Sequence, residues 1–293
     1  QPVNRHAARM IKDPVACNDQ QNGLYSEEEN ELLGFSGGQT CPTIQAMKHK
    51  FKEVYLKEMM RGNPFIVKHT RMAAKILNYP LSDTNIYNAC VYFGDFVIQD
   101  AFHSKTPLIP KSNPIFLTLK MCYQVSMMLH TSSMQVSKAA VTPFATRLLR
   151  EIDARVQGKS KMKFNLLVGH DTSLLPLLIA MEILDLECHF RVAKTGEINN
   201  CKGKFPSTGS HMEFVLFKEN ETERYFVKTS YNFEPIDFCK NGDFATEFAC
   251  ELEQYKAVWS ERTIPDLDAF CKRTKEESAK MEDIMERSFR RLP

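Results

Sequence analysis

The sequence predicts an α/β protein whose mostly parallel sheet is flanked by helices and interrupted by a short helical cap insertion. Three observations lead to this fold class. Short apolar runs of strand length alternate along the chain with longer stretches of helical periodicity. Between residues 73 and 160 the strand-like runs are absent and helical patterns dominate. The chain has 293 residues, which is enough for one core domain that carries an insertion.

The first part of the chain predicts two strands separated by a long loop and a helix. Residues 1–4 are typical of the end of a strand, and residues 13–40 are rich in Asn, Gln, Gly and Glu, as loops are. Residues 43–61 carry apolar side chains every three or four positions, which predicts a helix. The apolar residues 65–67 follow a Gly-Asn-Pro turn and predict a short buried strand.

The insertion begins with a proline-rich stretch at residues 105–114 and continues with two helical patterns, at 115–130 and 136–156. After it, residues 164–168 predict a buried strand, and residues 172–184 predict an apolar helix capped by Asp171 or Thr172. These patterns predict the following division: residues 1–72 and 161–293 form an α/β catalytic core, and residues 73–160 form the helical cap insertion.

The last third of the chain predicts a hairpin and two helices. Residues 212–218 and 225–231 alternate in the manner of strands on either side of a charged turn. Residues 243–259 and 266–292 have helical periodicity, the second with a strongly charged outer face.

Charge and hydropathy exclude several classes of function. The chain has 38 Lys and Arg against 36 Asp and Glu, a formal net charge of +2, which predicts no nucleic-acid partner. The longest apolar run, residues 174–181, is interrupted by Pro176 and is far shorter than a bilayer span. We therefore expect no integral membrane segment.

The cysteines favour an oxidising compartment. Nine are present and no two form a Cys-x-x-Cys pair, so zinc-ribbon and thioredoxin-like sites find no support. Cys239, Cys250 and Cys271 form the cluster most typical of disulfides. The sequence also begins with Gln1 and contains the glycosylation pattern Asn220-Glu221-Thr222. We expect a secreted or lysosomal glycoprotein whose signal peptide has been removed.

Cationic side chains follow three of the predicted strands. Arg5, His6 and Arg9 follow the first strand, Lys68 and His69 follow the second, and His170 and Asp171 follow the third. Ligands of parallel sheets bind at the carboxyl ends of the strands. The sequence therefore predicts a rim with several cations and a single carboxylate, which is suited to a phosphoryl group.

The residue types favour a covalent route that needs no cofactor and no metal ion. The sequence contains no Walker motif and no carboxylate cluster suited to magnesium. Histidine is a nucleophile when one ring nitrogen is unprotonated, and neighbouring cations favour that neutral form. Asp171 is the carboxyl group that could protonate the leaving alcohol.

These residues resemble the motifs of the histidine acid phosphatase family, clade two of the histidine phosphatase superfamily. The family pattern RHGxRxP is matched by residues 5–11, and the family's His-Asp pair by His170-Asp171-Thr172. The resemblance implies a phosphoglycerate-mutase-like fold and an acid phosphatase that hydrolyses phosphate monoesters through a phosphohistidine. It implies that His6 is the nucleophile and Asp171 the proton donor. It assigns phosphate binding to Arg5, Arg9, Lys68 and His170.

Three departures from the family pattern motivate an alternative function. Ala7 stands in place of Gly, Ile11 in place of Pro, and Lys68 in place of Arg, with loss of a bidentate fork. The alternative is a catalytically impaired relative that binds phosphorylated ligands, and a phosphomutase of the wider superfamily is a third possibility. The substrate is expected to be a phosphorylated small molecule or a phosphoprotein. The oligomeric state is left open.

Overall fold

The structure is a computed structural model with a helix-rich core and a small sheet. It describes residues 41–44, 63–131, 133–195, 201, 203, 205–220, 223–240 and 248–272. The predicted strand at residues 1–4 and the loop at 13–40 lie outside these residues. The predicted helix at 43–61 is described only at its beginning, where residues 42–44 are helical.

The first long helix replaces a predicted strand. Helix α1 (Pro64–Ile76) begins at Asn63, whose side chain accepts a hydrogen bond from the backbone N–H of Phe65 at 3.0 Å. The predicted strand at residues 65–67 is therefore wrong. An Asn cap followed by Pro at the first helical position is a strong helix start. The buried positions then recur at Ile66, Thr70 and Ala73, a helical spacing that continues beyond the apolar triplet.

Three further long helices follow α1. They are α2 (Ile86–His103), α3 (Pro114–Thr131) and α4 (Met134–Val156), and a short 3₁₀ turn (Asp83–Asn85) precedes α2. The helices predicted at 115–130 and 136–156 are confirmed. Helices α1, α2 and α3 pack on one another around a core that includes Ile66, Val97 and Leu119. The predicted division of the chain at residues 72/73 and 160/161 stays a prediction. The first of these two boundaries falls inside α1.

The segment before the next helix is extended and exposed. Residues 161–170 have no regular secondary structure, and Phe164, Leu166 and Val168 are 69%, 69% and 75% exposed. The predicted buried strand at 164–168 is therefore wrong. An apolar run becomes a buried strand only when neighbouring strands pair with it, and within the described ranges no strand does so.

Helix α5 (Asp171–Ala180) lies between the two large cores of the protein. Leu175 and Leu178 face the core of α1, α2 and α3, whereas Leu177 and Ala180 face a second core. A helix that is apolar on all sides is buried on all sides. The predicted apolar helix at residues 172–184 has this pattern, and α5 confirms it. Helix α6 (Leu186–Thr195) follows and packs against α3.

The sheet of the described residues is small and antiparallel. Strands β1 (Met212–Lys218) and β2 (Tyr225–Tyr231) form the predicted hairpin, in a register that pairs Met212 with Tyr231 and Lys218 with Tyr225. The two-residue strands β3 (Glu234–Pro235) and β4 (Cys250–Glu251) also pair antiparallel with β2. The predicted parallel sheet is not found in this part of the chain.

The second core lies between α4, the sheet and helix α7 (Leu252–Arg262). Trp259 and Tyr255 of α7 are fully buried there beside Phe238. The helix predicted at 243–259 thus begins later than expected, and residues 241–247 lie outside the description. Helix α8 (Leu267–Cys271) is the described part of the helix predicted at 266–292. No helix in the described ranges has the length and apolarity of a membrane span.

Four disulfides join the described residues. They are Cys41–Cys271, Cys90–Cys122, Cys188–Cys201 and Cys239–Cys250. The predicted disulfide cluster is thus divided between two bonds, because Cys271 bonds to Cys41. Structural disulfides persist in oxidising compartments, so the four bonds are consistent with a secreted protein.

Candidate active site

The His-Asp pair lies at the beginning of α5. His170 is the N-cap residue with extended backbone, and Asp171 is the first residue of the helix. The backbone N–H of His170 donates to Ser173 Oγ at 3.4 Å, and the N–H of Ser173 donates to the His170 carbonyl at 2.9 Å. These reciprocal bonds start the helix at this point, and a carboxylate in the first turn is favoured by the helix dipole.

Both carboxylate oxygens of Asp171 accept a hydrogen bond. Oδ1 accepts from the backbone N–H of Thr172 at 2.7 Å. Oδ2 accepts from the phenol O–H of Tyr123 on α3 at 3.1 Å. Asp171 is half-buried, so part of the carboxyl group remains open to solvent or a ligand.

Tyr123 is the residue at this site that sequence reasoning missed. It lies 48 positions before Asp171 in the chain, within an apolar helix. Burial raises the pKa of Tyr123, and the nearby charge of Asp171 raises it further. The phenol therefore stays protonated, and able to donate this hydrogen bond, well above neutral pH. In the sequence, the only signal at Tyr123 is the neighbouring Cys122. A neighbouring cysteine indicates that the side chain is buried, and it does not indicate a function.

Helix packing holds Tyr123 in place. Cys122 is bonded to Cys90 of α2, which joins the two helices next to Tyr123. One turn further along α2, Gly94 lets the helices approach closely, because a Cβ atom there would lie 2.9 Å from Tyr123 Cβ. The ring of Phe205 packs edge-on against the Tyr123 ring at 6.3 Å.

Lys68 and His69 lie on α1, not at the end of a strand as predicted. Lys68 is exposed. His69 is buried, and its Nδ1 atom lies 2.7 Å from Thr118 Oγ1 on α3. Burial, and to a smaller extent the charge of Lys68, lowers the pKa of His69. The ring also stacks on Phe65 at 5.7 Å, so His69 has the surroundings of a structural histidine.

The structure brings some of the predicted site residues together and not others. His170 and Asp171 are adjacent, and both α1 and α5 pack against α3. The contacts on α3 are different, however: His69 meets Thr118, and Asp171 meets Tyr123. Five residues of helix separate these positions by about 7.5 Å along the axis and about 140° around it. Arg5, His6 and Arg9 lie outside the described residues.

The described residues hold no obvious metal site: no group of three or more His, Cys, Asp or Glu side chains lies together as metal ligands would.

Comparisons with known proteins find structural similarity at low sequence identity. No family model matches the sequence, and no curated protein matches it. Among solved structures, the phytase from Citrobacter braakii is similar with a TM-score of 0.46 and 14% sequence identity. The similarity covers 80% of this chain and 67% of the phytase chain. It does not assign a family or an activity to this protein.

Proposed function

We propose that this protein is an acid phosphatase that hydrolyses phosphate monoesters through a phosphohistidine on His6, with Asp171 as the proton donor. The observation that carries the proposal is the His170-Asp171-Thr172 segment at the N-terminus of α5. There, the Asp171 carboxyl group lies in the first turn of a helix, where the helix dipole favours a bound anion. Helix N-termini bind phosphate, and the carboxyl group adds the acid that monoester cleavage requires.

The first proposed step forms a phosphohistidine. An unprotonated ring nitrogen of His6 attacks phosphorus, and the bond from phosphorus to the ester oxygen breaks. Asp171 gives its proton to that oxygen, so the product leaves as a neutral alcohol. Arg5, Arg9, Lys68 and His170 stabilise the charge on the non-bridging oxygens.

The second step regenerates the enzyme. Water attacks the phosphohistidine, and the Asp171 carboxylate takes a proton from that water. The bond from phosphorus to the His6 nitrogen breaks, and inorganic phosphate leaves. The cycle ends with a protonated Asp171 and a neutral His6, as it began, and it uses no cofactor.

A secreted or lysosomal location belongs to the same proposal. The four disulfides support it, because such bonds are rare in reducing compartments. Asn220 is exposed in the turn between β1 and β2, where a glycan would not disturb the core.

The test is hydrolysis of an aryl phosphate between about pH 4 and about pH 8 in the presence of EDTA. We expect activity that is highest in acid and absent in His6→Ala. On an alkyl phosphate such as β-glycerophosphate, Asp171→Asn should reduce the rate at least about a hundredfold, because general acid catalysis contributes about that much or more. Rapid alkaline quenching with radiolabelled substrate, which preserves the acid-labile bond of a phosphohistidine, should trap label on the wild-type protein and none on His6→Ala. Equal rates in the wild type and His6→Ala would overturn the proposal.

One observation favours the catalytically impaired relative. Lys68 is exposed on α1 rather than placed at a strand end beside Asp171. If Lys68 and its neighbours only bind phosphate, calorimetry will detect binding of a phosphate monoester by a folded protein that traps no label. Hydrolysis and trapped label would exclude this alternative.

A further inference from the structure

We propose that Tyr123 is a positioning residue that sets the orientation of the proton donor Asp171. This inference rests on the proposed function of Asp171. It adds a residue that no sequence motif indicates and that lies on a different helix from the acid.

The geometry shows why a second donor is needed. The terminal torsion of an aspartate side chain has a broad energy well, so a single hydrogen bond leaves the carboxyl plane free to rotate. Here Thr172 N–H binds Oδ1 at 2.7 Å and Tyr123 O–H binds Oδ2 at 3.1 Å. Hydrogen bonds to both oxygens therefore fix the plane of the Asp171 carboxyl group. Each oxygen retains a second lone pair, and one of these carries the proton that is transferred.

Tyr123 is a rigid source of this hydrogen bond. The Cys90–Cys122 disulfide and the close approach at Gly94 fix its backbone, and Phe205 packs on its ring. Its raised pKa keeps the hydroxyl protonated, so the bond to Asp171 persists across the working pH range. A rigid donor on a rigid helix is what an oriented catalytic group requires.

The inference predicts a dependence on the leaving group. The p-nitrophenolate group leaves with little need for protonation. The alkoxide of glycerol is a poor leaving group, so its departure needs an acid in the correct orientation. Loss of Tyr123 as a positioning residue should therefore slow alkyl phosphates more than aryl phosphates. A loss that came only from a damaged fold would slow both equally.

The experiment compares Tyr123→Phe with the wild type on β-glycerophosphate and on p-nitrophenyl phosphate. On β-glycerophosphate we expect kcat to fall at least about tenfold with KM nearly unchanged. This loss is a part of the rate acceleration of about a hundred- to ten-thousandfold that a general acid contributes. On p-nitrophenyl phosphate the fall should be less than about threefold, because a good leaving group needs little acid assistance. The matched control is Tyr231→Phe, which removes a phenol bonded to Ser210 at 3.3 Å on the sheet. It should change neither rate.

A double variant separates positioning from instability. If Tyr123 acts through Asp171, adding Tyr123→Phe to Asp171→Asn will cause no further loss, whereas independent effects would multiply. An active wild type in which Tyr123→Phe slows both substrates equally, or in which the two losses multiply, would overturn the positioning role alone. An inactive wild type would overturn the proposed function and the positioning role with it.

Discussion

At the scale of single residues, the chemistry of the site depends on surroundings that side-chain type alone does not reveal. Asp171 and His69 both lie next to a charged or polar neighbour in sequence, yet their environments differ. Asp171 is half-buried at a helix start, with two donors on its carboxylate. His69 is buried among helices, with a lowered pKa. The carboxylate of Asp171 is thus partly exposed, whereas His69 is a packing residue.

Gly94 is the residue on which the packing of α2 against α3 depends. A Cβ atom at this position would lie 2.2 Å from the Leu119 carbonyl oxygen, which belongs to a rigid helix. Ala is normally favoured over Gly inside a helix by about 1 kcal/mol. Here the clash should make the substitution destabilising instead of stabilising. We expect Gly94→Ala to lower the free energy of unfolding by about 1–3 kcal/mol. Urea unfolding followed by circular dichroism measures this change.

Asn88→Ala is the control for Gly94→Ala, because Asn88 is on the exposed side of the same helix. That variant should be neutral or slightly more stable. A Gly94→Ala protein as stable as Asn88→Ala would show that the helices are not in close contact at this point.

At the scale of elements, α5 is held at its carboxyl end by an ion-pair cluster. The buried Arg262 of α7 donates to the Ala180 carbonyl at 3.2 Å and also pairs with Glu182. Lys240 pairs with Glu182 at 3.0 Å. We call Glu182, Lys240 and Arg262 the α5 clamp. It ties the helix that carries Asp171 to α7 and to the segment that follows β3.

The α5 clamp makes stability depend on pH. The hydrogen bond from Arg262, and then that from Lys240, lowers the pKa of Glu182 from 4.5 to about 2. A depressed folded-state pKa contributes stability above the unfolded-state value, and this contribution is lost as the pH falls from about 4.5 to about 2. Because Glu182 is partly exposed, solvent screening reduces the effect. We expect Glu182→Gln to lower the free energy of unfolding by about 1 kcal/mol at neutral pH.

Guanidinium unfolding of Glu182→Gln and wild type at several pH values tests the clamp. The difference between the two proteins should shrink below about pH 4.5. Glu223→Gln is a matched control, since Glu223 pairs with Lys218 on an exposed turn, and it should have no measurable effect. A difference for Glu182→Gln that is the same at every pH would contradict the assigned role of its charge.

At the scale of the whole molecule, the Cys41–Cys271 disulfide closes the largest loop among the four bonds. It spans 230 residues, whereas Cys239–Cys250 spans 11. The same contact includes a hydrogen bond from Thr43 Oγ1 to the Phe270 carbonyl at 2.9 Å. The ends of the described chain are therefore joined to each other and to Val136 and Ala139 of α4.

Loop length predicts which disulfide stabilises the protein most. In the chain-entropy model a loop of this larger size contributes about 5 kcal/mol, and the smaller one contributes about 3 kcal/mol. The double variant Cys41→Ala/Cys271→Ala should therefore lose more unfolding free energy than Cys239→Ala/Cys250→Ala. Guanidinium unfolding of both double variants measures the order. A larger loss for the short loop would mean that local packing, not chain entropy, dominates.

The sequence predicted the elements whose patterns are long or strongly periodic. The helices of the insertion, the helix after Asp171 and the β1–β2 hairpin were all confirmed. The strands predicted at the apolar runs 65–67 and 164–168 were wrong. A run of three to five apolar residues does not distinguish a strand from one turn of a helix or from an unpaired segment. The convergence of His6 with Asp171 stays a prediction.

Residue type and local spacing are enough to identify the His170-Asp171 pair, the amphipathic helices and the cysteines, so these features are readable without tertiary contacts. Tertiary contacts, by contrast, were required to show that Cys271 bonds to Cys41 and that Tyr123 donates to Asp171. Each of these pairings depends on how distant segments pack. Contacts across 48 or 230 residues leave no periodic trace in a sequence, since the two partners meet only after helices and sheet have assembled.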